Sequence, residues 1–286
     1  MTAVSVLICV RNVEKYIGNC LRSILDQTYN DFEIVLIDDL STDKTKEMVT
    51  GFNDKRIRYF RNKKWRGIAK NRNLGLKYAK GDFVFFTDGD CIVSKDWIEQ
   101  GVKFLKNPDC AGVEGRICYV SEDYIPTFCD HTYESAQGKF MTGNIAYKKN
   151  VVESVRGFDE RYSYHEDRDL GLRILKNGKI KFNPNMIVYV QKQILSPNEL
   201  VRHSPILKNR VYLFKRFKDK ESVSWRIVDP WSLAKIICPP LVFASLFSDK
   251  FKTLDDYKLL PFTYPQIISE RLYLWRECAR ERVFLL

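Results

Sequence analysis

Asp88-Gly89-Asp90 follows the apolar run Phe83-Val84-Phe85-Phe86, so two carboxylates stand where a buried strand opens into a loop. Paired carboxylates at such a point suit a divalent cation held against a diphosphate, because Mg²⁺ and Mn²⁺ are hard ions that take oxygen ligands and bridge carboxylate to phosphate. Asp and Gly are also ordinary turn residues, so the triplet gains its meaning from its neighbours. Upstream, Val35-Leu36-Ile37-Asp38-Asp39 is a second apolar run ending in acids. Between the two lies Arg66-Gly67-Ile68-Ala69-Lys70-Asn71-Arg72-Asn73-Leu74-Gly75, a basic helix start. Helix N-terminal amides and a guanidinium fork both favour phosphate. In the second half, His165-Glu166-Asp167-Arg168-Asp169-Leu170 is the acidic cluster with comparable context. Successive helix residues turn by about 100°, so Asp167 and Asp169 point to nearly opposite faces and cannot share one task.

The elements that must position these groups are legible as hydrophobic patterns. Val4 to Val10 is a continuous apolar run, and Phe32 to Ile37, Ile57 to Phe60 and Phe83 to Phe86 repeat it. Such runs fit strands covered on both faces. Helical patterns alternate with them: 14–26, with Ile17, Leu21, Ile24 and Leu25 on one side; 41–52, opened by a Ser or Thr cap; and 68–80. The alternation predicts an α/β fold with a mostly parallel, Rossmann-like sheet flanked by helices. Ligands in such sheets bind beyond the C-terminal strand ends, which gathers the segments after Val10, Ile37 and Phe86 on one rim. From Gly112 to Gly138 the pattern weakens and reads as an irregular segment. Order returns at 141–144, followed by helices over 150–155 and 166–177, the latter stopped by Gly178.

At 286 residues and 45% hydrophobic, the chain is long enough for one catalytic domain plus an appendage. The predicted division is residues 1–200, with halves over about 1–90 and about 91–200, then a mainly helical C-terminal region over 201–286. The eight cysteines are scattered without a C-x-x-C pair and read as small buried hydrophobes in a reducing cytoplasm. No secretory leader pattern precedes the first strand. A net charge of +11 implies a polyanionic partner. No nucleic-acid-binding signature accompanies it, which weighs against a noncatalytic RNA-binding module.

The acidic strand ends, the basic helix start and the Glu166-Asp167 cluster, in this order, resemble the family 2 glycosyltransferases of the GT-A fold. The resemblance spans about residues 3 to 200 and extends to Gln27-Thr28-Tyr29, Asp31-Phe32-Glu33 and Gly157-Phe158-Asp159. It implies an inverting transferase that moves a sugar from a nucleoside-diphosphate sugar, UDP-linked in this reading, to a hydroxyl. On the donor side it puts Cys9, Val10 and Arg11 in the base-lining turn, with Cys9 where a Pro is common, and Asp39 on the base or ribose. Asp38 either joins it or caps the next turn. Lys70, Arg72 and Asn73 open the helix that faces the diphosphate; Arg72 is the expected direct contact, and Lys70 is either a second or a solvated surface lysine. Asp90 is the expected direct ligand of Mg²⁺ or Mn²⁺, while Asp88, next to Gly89, either ligates it too or reaches the ribose. Gln191 stands where many relatives have a metal-binding His.

On the acceptor side, the resemblance carries the general base to Asp167, next to Glu166. Gly143 and Asn144 precede a strand that would line the floor beneath the reacting sugar, Asn144 bonding either a substrate or a loop. Arg173 pairs either with an acid or with an acceptor phosphate. The acceptor is a saccharide or lipid-linked saccharide. A polyprenyl-phosphate acceptor is the alternative within the class, and it needs no base; a nucleotidyltransferase is the alternative outside it.

The C-terminal region has its own chemistry. Residues 202–226 mix Arg and Lys with Leu207, Val211, Phe214 and Phe217, a basic amphipathic pattern suited to an anionic membrane surface or to packing. Residues 230–247 are the most hydrophobic stretch, but Lys235 and Pro239-Pro240 divide it into halves far shorter than the ~20 residues a spanning helix needs. The halves either form a buried helical hairpin or insert shallowly through Trp231, Phe243 and Phe247, the latter giving a cytoplasmic protein peripheral on the inner face of the cell membrane. The stripe Ile268, Leu272, Trp275, Ala279, Val283 reads as a docking face.

Overall fold

The computed structural model describes residues 3–119, 138–191, 204–217, 272 and 275–280. The chain divides into two compact units, Met1–Val120 with Tyr133–Gln191, and Ser121–Thr132 with Lys192–Leu286.

The first unit is built on eight strands: β1 (Val4–Val10), β2 (Phe32–Asp38), β3 (Ile57–Arg61), β4 (Phe83–Asp88), β5 (Cys91–Val93), β6 (Cys110–Tyr119), β7 (Ile145–Lys148) and β8 (Lys179–Val190). They form one sheet in the order β3-β2-β1-β4-β7-β6-β8-β5. The run β3-β2-β1-β4 is parallel throughout, so Val10, Asp38, Arg61 and Asp88 all end on the same rim. β7 then pairs antiparallel with β4 and β6, as β5 does with β8, while β6 and β8 run parallel.

Among the described residues, six helices cover the sheet: α1 (Ile17–Leu25), α2 (Thr45–Thr50), α3 (Ile68–Tyr78), α4 (Trp97–Leu105), α5 (Lys149–Ser154) and α6 (Glu166–Ile174). Strand side chains alternate between faces, so each face has its own core. Ile17, Leu21 and Ile24 of α1, Val49 of α2 and Trp97, Ile98 and Leu105 of α4 bury against one face. Ala69 and Leu76 of α3, Val152 of α5 and Leu170 and Ile174 of α6 bury against the other. Fully burying one such aliphatic side chain contributes about 1.5–3 kcal/mol. A Cβ on Gly75 would come within 2.0 Å of Leu7, so α3 lies directly on β1 only because that residue has no side chain.

Two sequence expectations are corrected here. Residues 112–119 are not irregular; they are most of β6, and 120–137 lie outside the described residues. The strand pattern is broken because Gly112 sits where a Cβ would meet the Tyr147 ring at 2.4 Å, and Gly115 where it would meet Met186 O at 2.2 Å. α2 has no Ser or Thr cap: Lys44 is its N-cap, and the Asp43 carboxylate accepts from Thr45 N–H at 3.0 Å and from its hydroxyl at 2.6 Å.

In the second unit, α7 (Ser204–Phe217) buries Asn209, Val211 and Leu213 and exposes Lys215 and Arg216. Residues 275–280 are helical, with Glu277 and Cys278 buried. Leu272, Trp275 and Ala279 of the predicted docking stripe are exposed, and Ile268 and Val283 lie outside the described residues. The expectations for 218–226 and for 230–247, including Trp231, Phe243 and Phe247, fall outside the described residues. Among the described residues, no helix is long and apolar enough to cross a membrane.

Candidate functional site

The first group on the rim is the turn after β4. Asp88 and Asp90 are both partly exposed, and their carboxylates with the Cys91 thiol keep ligand atoms within 4.8 Å of one another. Burial, reinforced by the Asp88 and Asp90 charges, holds the Cys91 thiol far above its ordinary range, so it stays protonated and the two carboxylates are the hard donors that remain. Gly89 and Gly143 flank this turn closely. A Cβ on Gly89 would sit 2.7 Å from Val10, and one on Gly143 would sit 3.4 Å from Asp88 Oδ2. Gln191 N–H donates to the Asp90 carbonyl at 2.9 Å. Its side-chain oxygen accepts from Asn19 at 3.0 Å and its amide nitrogen donates to Tyr16 O at 3.2 Å, tying the turn to the start of α1.

Arg72 links this turn to the second half of the domain. It is 6% exposed, donates through Nη1 to Glu166 Oε1, and holds Nη2 3.5 Å from Asp88 Oδ1. Its guanidinium lies 5.7 Å from the centre of the Phe158 ring. Burial raises Asp88 above the usual carboxylate range; Arg72 opposes that and the charge of Asp167 adds to it. Burial likewise pushes Glu166 up to about 7, against the pull of Arg72 and with a further push from Asp167. Glu166 Oε2 is buried without a protein partner.

Asp167, in the first turn of α6, is less enclosed. Its Oδ1 accepts from Arg168 N–H at 2.7 Å and its Oδ2 from Thr142 N–H at 3.4 Å. Asp169 is fully buried and paired with Arg173 at 2.7 Å, so the two acids do face different ways, as the helix period requires. Arg173 spends its remaining nitrogens on Val155 O at 2.5 Å and Gly157 O at 2.7 Å; of its two expected partners it has the acid.

The acids after β2 also have defined partners. Asp38 is fully buried; Oδ1 accepts from Ser41 N–H at 2.7 Å and Oδ2 from the Tyr59 hydroxyl at 2.5 Å. It therefore caps the next turn. Asp39 binds the segment before α3: Oδ1 accepts from Asn62 Nδ2 and Arg66 N–H, and Oδ2 from Gly67 N–H, each at 2.9 Å. Burial pushes this carboxyl up, but the Asn62, Gly67 and Arg66 bonds outweigh it and leave the group below its ordinary value. Of the three residues expected in the turn after the first strand, Cys9 and Val10 are instead the last residues of β1, paired with Ile37 and Asp38 of β2, and only Arg11 follows it; Val10 is buried, Arg11 is exposed and Cys9 is half-buried, its thiol pushed up to about 12 mainly by burial.

Several nominated residues face inward. Asn73 donates to Phe158 O at 2.9 Å and accepts from Phe158 N–H at 2.8 Å, locking the Gly157-Phe158-Asp159 loop onto α3. Asn144 is 1% exposed; its amide donates to Arg116 O and Met186 O, and its oxygen accepts from Trp97 Nε1 at 2.8 Å. These partners lie on β6, β8 and α4, so its described bonds go to regular elements of the core and not to the expected substrate or loop. Lys70 is exposed on α3. The structure thus brings together Asp88, Asp90, Arg72, Glu166, Asp167 and Gly143, and leaves Asn73, Asn144 and Arg173 as internal ties.

Sequence reasoning missed Glu114, a buried carboxylate on β6 that accepts from Gly138 N–H at 2.7 Å and Phe140 N–H at 2.6 Å and so sets the approach to 141–144. A lone acid among Gly and Val gave no signal. It also left Gln27 without a role. That side chain donates to Ser94 O at 2.7 Å and accepts from Ile98 N–H at 2.9 Å, holding the start of α4.

Comparison with known proteins gives a consistent pattern. Residues 5–158 match the model of the family described as Glycosyl transferase family 2. An uncharacterized glycosyltransferase of Haemophilus influenzae is 36% identical over 144 residues, 50% of this chain and 53% of that protein; the chain thus spans about half the length of that relative. The Escherichia coli protein WfaP, a UDP-Glc:alpha-D-GlcNAc-diphosphoundecaprenol beta-1,3-glucosyltransferase, is 29% identical over 219 residues, 73% of this chain and 87% of WfaP. Among solved structures, the mannosyltransferase PcManGT of Pyrobaculum calidifontis, in complex with GDP-Man and Mn²⁺, superposes with a TM-score of 0.65 at 18% identity, covering 98% of this chain and 87% of that one. At that identity the likeness is one of fold.

Proposed function

The chain belongs to glycosyl transferase family 2, and on that premise we propose that it transfers a sugar from a UDP-linked donor to a hydroxyl of a lipid-linked saccharide, with inversion, a divalent cation and Asp167 as general base. The observation that carries this reading is the bridge Arg72 makes between the two halves of the domain, from Asp88 at the end of β4 to Glu166, the residue before Asp167 on α6. A donor phosphate at Asp88 and a nucleophilic hydroxyl at Asp167 would face each other across that bridge.

Asp88 and Asp90 would hold the cation, since two carboxylates beside a neutral thiol are an oxygen donor set that suits Mg²⁺ or Mn²⁺. Bound there, the ion supplies Lewis-acid stabilisation of the charge on the departing nucleoside diphosphate. The protein does the rest. Gly143 leaves room beside Asp88 for the reacting sugar. Asp167, the more open of the two adjacent acids, takes the proton of the acceptor hydroxyl as its oxygen attacks the anomeric carbon from the face opposite the leaving group. Glu166 is enclosed and paired, which suits it to holding Arg72 rather than to meeting an acceptor. WfaP, whose acceptor is a sugar diphosphate on a polyprenol, supports the lipid-linked class.

We further propose the division into a catalytic domain over about 1–200 and a C-terminal region that attaches peripherally to an anionic membrane. The exposed Lys215 and Arg216 in the last turn of α7 support the second point.

Calorimetric titration of UDP into the protein with and without Mn²⁺ tests the donor site. Binding should depend on the cation in the wild type and lose that dependence in Asp90→Ala. Cation-independent binding in the wild type, or unchanged binding in Asp90→Ala, overturns the assignment.

A further inference from the structure

We propose that Trp65 is the stacking face for the nucleobase of the donor, a reading that rests on the nucleotide-sugar function above. Trp65 is 62% exposed, more than any other large hydrophobic residue among the described residues. An indole left in water on a loose loop would be unremarkable, but this loop is fixed on both sides of it. Asn62 before it is buried and bonded through Nδ2 to Asp39 Oδ1 and to Asn71 Oδ1, at 2.9 and 2.7 Å. After it, the Arg66 and Gly67 amides both end on Asp39 at 2.9 Å. The indole lies across Gly67: a Cβ there would be 3.7 Å from its Cζ2. Gly67, at φ +84°, is the N-cap of α3.

The position also matches the length of the ligand. Neighbouring strands lie about 4.8 Å apart, and β1 alone separates β2 from β4. Asp39 and its loop are therefore roughly 10 Å along the rim from the Asp88-Gly89-Asp90 turn, of the order of the reach of an extended nucleoside diphosphate from base to terminal phosphate. With the diphosphate at the turn, the base arrives beside Asp39. The bonds described for the Asp39 carboxylate go to Asn62, Arg66 and Gly67 of the 62–67 loop and to Asn71 at the start of α3, so its part is to position that loop, and the surface the loop offers to a flat ring is Trp65. Lys63, Lys64 and Arg66 are exposed around it and favour an anionic ligand. Base stacking tolerates any base, since each has a π-face, so Trp65 confers affinity for the nucleoside without selecting among bases.

The test is titration of UDP, GDP and inorganic pyrophosphate, each with Mn²⁺, into the wild-type chain and Trp65→Ala and Trp65→Phe. Trp65→Ala should weaken UDP and GDP by about five- to hundredfold, Trp65→Phe by much less, and neither should change pyrophosphate binding. UDP should also quench the tryptophan fluorescence of the wild type more than that of Trp65→Phe. Equal UDP affinity in wild type and Trp65→Ala overturns the proposal while leaving the donor site intact. Equal losses for UDP and pyrophosphate overturn it as well, by making Trp65 a general structural element of the site. Failure of the wild type to bind any nucleoside diphosphate removes both this proposal and the donor reading beneath it.

Discussion

Arg72 on α3 and Glu166 on α6 are 94 residues apart in sequence and ion-paired in the interior of the domain. Burying two charges is costly, and their attraction offsets that cost only while both are present. Through its second contact, with Asp88, the ion pairs of Arg72 reach both the end of β4 and the helix that carries Asp167. The geometry of the two halves is thus set partly by one guanidinium.

Removing that guanidinium alone should be severe. Arg72→Met leaves Glu166 buried without its partner and should cost about 3–5 kcal/mol, read from urea denaturation. The double variant Arg72→Met/Glu166→Met should cost less than the sum of the two single changes. Additive losses would mean that the pair contributes nothing as a pair.

Glu33 predicts the acid limb of the stability profile. Its Oε1 accepts from the Ser5 hydroxyl at 2.7 Å and Lys80 N–H at 2.6 Å, and its Oε2 takes Arg58 at 2.6 Å. Burial alone would raise this carboxyl, but the Arg58, Lys80 and Ser5 bonds outweigh it and hold it below its ordinary value. A depressed folded-state value means that the unfolded chain takes up the proton first as pH falls. The stabilisation is therefore fully present above the unfolded value near 4.5 and disappears as pH drops through the folded one. Glu33→Gln should be less stable than wild type at pH 7, with the difference narrowing below about pH 4.5; denaturation midpoints from pH 7 to pH 3 check this, and a constant difference would contradict it.

The membrane proposal has a direct readout in vesicle flotation. Each Lys or Arg close to an anionic bilayer contributes about 1 kcal/mol. Lys215→Glu/Arg216→Glu should therefore lower recovery with anionic vesicles and leave recovery with neutral vesicles unchanged. Equal recovery of variant and wild type would detach α7 from this role.

The strands that hold the donor side were legible because β1, β2 and β4 are buried on both faces, and burial of that kind leaves an unbroken apolar run. β6 was not legible. Its Gly112 and Gly115 are required by the ring of Tyr147 and the backbone at Met186, and its Glu114 is satisfied by amides of 138 and 140; none of these partners is near it in sequence. The same physics divides the site. Asp88-Gly89-Asp90 and Glu166-Asp167 announce themselves by standing at the ends of strongly patterned elements. Asn73, Asn144 and Arg173 have ordinary binding chemistry, and only contacts made in the folded chain, such as that of Asn73 with Phe158 or Asn144 with Trp97, show that it is directed inward. Arg72 shares that ambiguity: its charge suggested a phosphate, while its burial reveals two carboxylates.

The most direct test of the account is sugar transfer from a UDP-sugar to a lipid-linked saccharide by Asp167→Asn, measured beside Mn²⁺-dependent UDP binding in the same preparation. The substitution keeps the shape of the side chain and removes its basicity, so UDP affinity should match wild type while turnover falls by roughly 10² to 10⁴. Near-native turnover in Asp167→Asn with intact UDP binding would contradict the assignment of Asp167 as the base and would favour an acceptor that is already ionised.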